Sequence, residues 1–168
     1  MNPLRRRIVL AAPLAGLAGA AGALDMPTGP VVLSLRGAGI AGANIEGRAD
    51  FDMPMLERLP QQSIQTGTPW YSGPRKFTGP LLRDVLAAAG AKAGAMRLVA
   101  LNDYRVQVPM EDALEHGMIL ARLLDDKPMS VRDKGPLFAM YPFGAQPALR
   151  NAVYFSRCIW QLRSIELV

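Results

Sequence analysis

Hydrophobic positions between residues 31 and 168 come in short runs. Some alternate at period two, some are clustered, and turn residues interrupt them at close intervals. Val31 to Leu35 predicts a strand, and the Gly-rich stretch Arg36 to Gly47 a loop or hairpin. Asp52 as N-cap, with Pro54 in the first turn, predicts a short helix stopped near Pro60. Gln62 to Thr66 alternates and predicts a strand, followed by a Gly/Pro loop that carries Trp70 and Tyr71. Thr78 to Gly90 predicts the clearest helix. Thr78 caps it, Pro80 sits in its first turn, and Leu81, Leu82, Val85, Leu86 and Ala89 form one apolar face, ended by Gly90.

The second half reads the same way. Met96 to Leu101 is a near-continuous apolar run, as in a buried strand. Asn102-Asp103-Tyr104 is a turn, and Arg105 to Val108 alternates, so the two runs predict a hairpin. Pro109 to His116 predicts a short helix with Glu111 and Asp112 in its first turn. Met118 to Leu124 predicts a strand, Asp125 to Pro128 a turn, Pro128 to Lys134 a loop and Gly135 to Pro142 another strand. Gln146 to Ala152 predicts a short helix. Val153 to Trp160 and Gln161 to Val168 predict closing strands. Short strands mixed with three or four short helices indicate an α+β fold, not a regular alternation around a parallel sheet.

The first 23 residues have a different character. A basic start (Arg5, Arg6, Arg7), an apolar run from Ile8 to Leu17 and small residues ending at Ala23 predict a secretory signal peptide over 1–23 and a domain over 24–168. An uncleaved membrane anchor is the alternative, but the run is short for a bilayer span. The arginines resemble a twin-arginine signal loosely, with Leu4 where a polar residue belongs, so the ordinary unfolded-chain route is favoured. The expected location is the periplasm, with no membrane insertion after cleavage. Without the three arginines Lys+Arg falls from 19 to 16 against 14 acidic residues, so the formal charge drops from +5 to +2. That leaves no basic patch for a nucleic-acid partner. The single cysteine, Cys158, lies in an apolar run and reads as a buried, inert thiol.

The usual catalytic groups are sparse. There is one histidine, His116, near the end of a polar helix, where it reads as a solvated residue favouring the helix dipole. One His and one Cys do not make a zinc site. Glu111/Asp112 and Asp125/Asp126 read as first-turn and turn residues. What remains is aromatic and polar: Trp70, Tyr71, Tyr104, Tyr141, Tyr154 and Trp160 fall at loops or strand ends, near Asn102, Asp103, Lys134, Arg150 and Arg157. A flat heterocycle with amide-like edges needs a stacking face and a few fixed donors and acceptors. Tyr154 and Trp160 read as core, whereas Trp70 serves equally as site or core.

Several motifs in order carry a family resemblance. They are T-G-T-P-W (66–70), F-T-G-P-L-L-R-D-V-L (77–86), N-D-Y-R-V-Q-V-P-M-E-D-A-L (102–114), I-L-A-R-L-L-D-D-K-P-M (119–129), D-K-G-P-L-F-A-M-Y-P (133–142) and I-W-Q-L-R-S-I (159–165). From about Val31 to Val168 the chain resembles the molybdopterin-binding domain of the sulfite-oxidase superfamily. The resemblance implies that fold, with mixed β-sheets and short helices. It also places Thr66 where the family has its molybdenum-ligating cysteine, Asp133 at the family's histidine and Phe138 at its arginine.

T-P-W, A-L-N-D-Y and K-G-P-L-x-x-x-Y-P further resemble a subgroup of small exported single-domain proteins. That similarity implies a sensory or accessory pterin-binding protein, with a metal-free pterin and no metal. Its partner would be the periplasmic domain of a membrane sensor. The implied binding residues are Thr66, Trp70, Tyr71, Asn102, Asp103, Tyr104, Lys134, Tyr141 and Arg157. Among them Trp70 or Tyr104 would stack on the ring, Asn102 and Asp103 would read its edge, and Lys134 and Arg157 would donate. Two other readings stay open: a molybdopterin-dependent oxidoreductase with an unusual ligand set, and a ligand-free interaction module.

Overall fold

A computed structural model describes residues 24–168. The signal peptide expected over 1–23 lies outside the described residues.

Alternation builds the first hairpin. In β1 (Val31–Arg36) Leu33 and Leu35 are buried, and β1 pairs antiparallel with β2 (Arg48–Asp52). Asp52 then caps α1 (Met53–Arg58), its Oδ1 accepting the Met55 N–H at 2.9 Å. β3 (Gln61–Gly67) pairs antiparallel with β4 (Pro74–Pro80) along seven residues, and α2 (Leu82–Ala88) follows. β5 (Ala95–Ala100) and β6 (Arg105–Pro109) form the expected hairpin, and α3 (Met110–Glu115) continues from it. The remaining elements are β7 (Ile119–Ala121), β8 (Leu123–Leu124), β9 (Lys127–Pro128), β10 (Phe138–Met140), α4 (Ala152–Arg157) and β11 (Leu162–Leu167).

These strands form three sheets. The five-stranded sheet has the order β2-β1-β11-β5-β6, with β1 and β11 parallel, so the first and last strands lie side by side. A four-stranded sheet runs β3-β4-β8-β9, and a two-stranded sheet pairs β10 with β7. Bridges at Leu81–Ile119 and Ala139–Ile159 tie the smaller sheets to their neighbours. Phe51, Phe77, Phe138, Tyr141 and Phe143 are fully buried in the shared core. Burying a side chain of that size is worth about 1.5–3 kcal/mol. The fold is α+β, as the sequence predicts.

Four sequence expectations are corrected. The helix predicted from Thr78 begins at Leu82, because residues 74–80 pair with β3, and the Thr78 and Ser63 hydroxyls share a hydrogen bond at 2.7 Å across the two strands. Pro80 ends a strand instead of opening a helix. The strand predicted over Met118 to Leu124 is split. β7 pairs with β10, whereas β8 pairs with β4. The strand predicted over Val153 to Trp160 is the helix α4, capped by Asn151, whose Oδ1 accepts the Val153 N–H at 3.0 Å. The helix expected over Gln146 to Ala152 is only a 3-10 turn, Pro147–Leu149.

Candidate functional site

Three connecting segments meet at one end of the sheets. The first is the loop after β3. There the Arg150 Nη1–H donates to the Gly67 carbonyl at 3.0 Å, and Pro69 leads into Trp70. The Trp70 ring is held edge-on by Phe138 at 5.4 Å and by Phe155 and Trp160 at 6.0 Å each. The second segment is the β5–β6 turn. Asn102 Oδ1 accepts the Tyr104 N–H at 3.2 Å, and Asp103 adopts φ 65°, closing the turn with its N–H on the Ala100 carbonyl. The third is α4 and the residues after it, Phe155 to Trp160.

Together these segments enclose a cavity of about 320 Å³. Trp70, Phe155, Trp160 and Tyr104 supply aromatic walls, Ala100 and Ile159 add apolar surface, and Asn102 and Ser156 supply polar groups. Cys158 also lies on the wall. It is buried, its Sγ–H donates to the Tyr154 carbonyl at 3.4 Å, and burial pushes the thiol up to about 12. At neutral pH it is therefore a thiol, as its apolar setting in the sequence predicts, and not the thiolate that acts as ligand or nucleophile.

Of the nine binding residues expected from the resemblance, Trp70, Asn102 and Tyr104 line this cavity. Asp103 sits in the same turn, but its carboxylate is ion-paired with Arg163 and is outside the lining. Tyr71, next to Trp70, faces a second, cation-rich depression of about 590 Å³ with Arg75, Lys127, Arg132 and Lys134. There Lys134 Nζ lies 4.7 Å from the centre of the Tyr71 ring, a cation–π contact. Burial and the nearby Asp133 and Asp125 carboxylates raise the Tyr71 hydroxyl, and Arg75 opposes them.

Tyr141 and Arg157 are engaged elsewhere. Tyr141 is buried and donates to Asp112 Oδ2 at 2.5 Å, and Arg157 Nη1 donates to the same oxygen at 2.8 Å. Thr66 is buried in β3, its hydroxyl donating to the Gly67 carbonyl at 3.3 Å. Two residues on, the Thr68 hydroxyl is buried with no protein partner among the described residues.

Sequence reasoning missed the contribution of Phe155, Ser156, Cys158 and Ile159, and it read Trp160 as core where the structure leaves it partly exposed on the cavity wall. The apolar alternation of V-Y-F-S-R-C-I-W suggested a strand. The signal for the true arrangement was Asn151, a strong N-cap residue immediately before it.

Residues 47–145 match the family model described as oxidoreductase molybdopterin binding domain. The chain belongs to that family. Among solved structures, the sulfane dehydrogenase SoxCD from Paracoccus pantotrophus matches with a TM-score of 0.56 and 16% identity. The match covers 80% of this chain but only 37% of the SoxCD chain, and identity at that level supports the fold alone. Comparison with the curated proteins finds no match.

Family membership implies a molybdopterin cofactor. The organic part of such a group is a flat, amide-edged heterocycle, and the cavity offers what it needs: aromatic faces, the Asn102 amide and the Ser156 hydroxyl.

Proposed function

We propose that this chain is a periplasmic pterin-binding protein with a sensory or accessory role, built on the molybdopterin-oxidoreductase fold without the metal-ligating cysteine. The observation that carries the reading is the Trp70 cavity, where aromatic rings from three segments distant in sequence share the lining with the Asn102 amide and the Ser156 hydroxyl. Stacking on one such ring is worth about 0.5–1.5 kcal/mol beyond the area buried. Asn102 pairs with the amide edge of the ligand, and the Ser156 hydroxyl, which donates to the Val153 carbonyl at 2.7 Å, offers an acceptor.

The metal-free half of the reading rests on the donor set. By the motif resemblance the family's cysteine falls on Thr66, a buried hydroxyl that donates to the Gly67 carbonyl. A hydroxyl is a poor stand-in for a soft thiolate. Cys158, on the cavity wall, is held in its neutral form. In this reading the bound ligand reports to the periplasmic domain of a membrane sensor.

The test is to purify the protein after export from its native cell, identify any copurifying small molecule by mass spectrometry and measure molybdenum by elemental analysis. A pterin without stoichiometric molybdenum is the expected result. Stoichiometric molybdenum would overturn the metal-free assignment.

A further inference from the structure

The wall that α4 contributes to the cavity is attached through partly buried side chains, with Phe155 packed 4.8 Å from the buried Phe143 ring. None of the six residues of α4 is buried. One side of the helix, with Phe155 and Ser156, faces the cavity, and Cys158 follows at its end. The other side, with Tyr154 and Arg157, is held by a cluster outside the cavity. There Asp112 of α3 is buried and takes two hydrogen bonds on one oxygen, from Arg157 at 2.8 Å and from the Tyr141 hydroxyl at 2.5 Å. Arg157 also lies 5.4 Å from the centre of the Tyr154 ring. His116 Nε2 stands 3.4 Å from the Tyr154 hydroxyl and 4.0 Å from Asp112 Oδ1.

We propose that Asp112 and Arg157 form a latch that holds α4 against the molecule and thereby sets the width of the ligand cavity. The two act as positioning residues, since neither lines the cavity. Asp112 is anchored on α3 and by Tyr141, so its free attraction is directed at α4. A buried carboxylate that loses its guanidinium is left uncompensated, which strongly favours opening toward water. Opening swings the α4 wall outward, exposes Cys158 and removes Phe155 from its place beside Trp70. The sequence resemblance assigns Arg157 to the ligand directly; the geometry places it one step behind.

The effect on ligand rests on the pterin reading, but the latch itself does not, and the experiment separates the two. The rate at which Cys158 reacts with a maleimide reports local opening of α4 without any ligand. Arg157→Gln should raise that rate about tenfold or more, equivalent to about 1.4 kcal/mol of local opening. Arg157→Lys should stay near the wild-type rate. The double variant Asp112→Asn with Arg157→Gln should recover much of the protection, because no buried charge is left alone. Urea unfolding of each variant gives the global contribution. A rate unchanged in Arg157→Gln, or one that rises only as global stability falls, overturns the latch.

In parallel, neopterin is titrated into each variant, with about tenfold weaker binding expected for Arg157→Gln and recovery in Arg157→Lys. Equal affinities across the set would overturn the link from latch to cavity. Absence of neopterin binding by the wild-type protein would count against the pterin reading and leave the maleimide result to decide the latch.

Discussion

Asp52 and Asp112 are both buried carboxylates, and they are stabilised in different ways. Asp52 faces backbone: its oxygens accept from the N–H groups of Met55, Gly29 and Thr28 and from the Thr28 hydroxyl. Burial alone would raise its pKa, yet these donors together hold it below the usual carboxylate value. A carboxyl group depressed in the folded state adds stability above its unfolded pKa, and that stability is lost as pH falls through the folded value. The difference in urea stability between wild type and Asp52→Asn should therefore be largest near neutral pH and shrink as pH drops below about 4. A difference independent of pH would contradict this account. Asp112 instead depends on side chains. Tyr141→Phe removes one donor to a buried charge and should cost about 1–3 kcal/mol, read from the urea midpoint. Cys158, raised to about 12, should react with maleimide far more slowly at pH 8 than a free thiol does.

At the scale of elements, the crossing of β4 with β7 depends on Gly79. A Cβ added there would stand 1.8 Å from the Leu120 carbonyl oxygen, against backbone that cannot yield cheaply. Gly79→Ala should cost at least about 1–3 kcal/mol, seen as a lowered melting temperature or loss of soluble protein. Neighbouring residues also show where the sequence could be read and where it could not. Asp52 and Pro54 announce α1, and the hairpin is evident from the apolar run Met96 to Leu101, the turn residues after it and the alternation of Arg105 to Val108, because those signals are local. The β4 strand was hidden. Thr78 and Pro80 carry a valid helix-start signal, and pairing with all of β3 overrides it. For α4 the failure ran the other way: the residues look like a strand, and only the Asn151 cap marks the helix. The polar residues were harder still. Trp70, Asn102 and Tyr104 could be named from one loop and one turn. Nothing in the sequence showed that Tyr141 and Arg157 would meet at Asp112, 29 and 45 positions away.

At the scale of the molecule, the parallel pairing of β1 with β11 closes the chain on itself. On its other side β11 pairs antiparallel with β5, and that part of the closure puts the β5–β6 turn beside the segment that leads from α4 into β11: the Leu101 N–H donates to the Gln161 carbonyl at 2.9 Å, one residue past Trp160. The cavity is a product of that closure, which is why its third wall was invisible in the sequence. Partly exposed Trp70 and Trp160, in edge-on contact with each other, give the site its own fluorescence reporters. Pterin binding at Trp70 is tested most directly by a tryptophan fluorescence titration of the domain with oxidised and reduced pterins. Saturable quenching at micromolar concentration, about 8 kcal/mol of affinity, that is lost in Trp70→Ala while Tyr71→Ala retains it, is the predicted result. No binding below about millimolar, or binding untouched by the loss of Trp70, would contradict it.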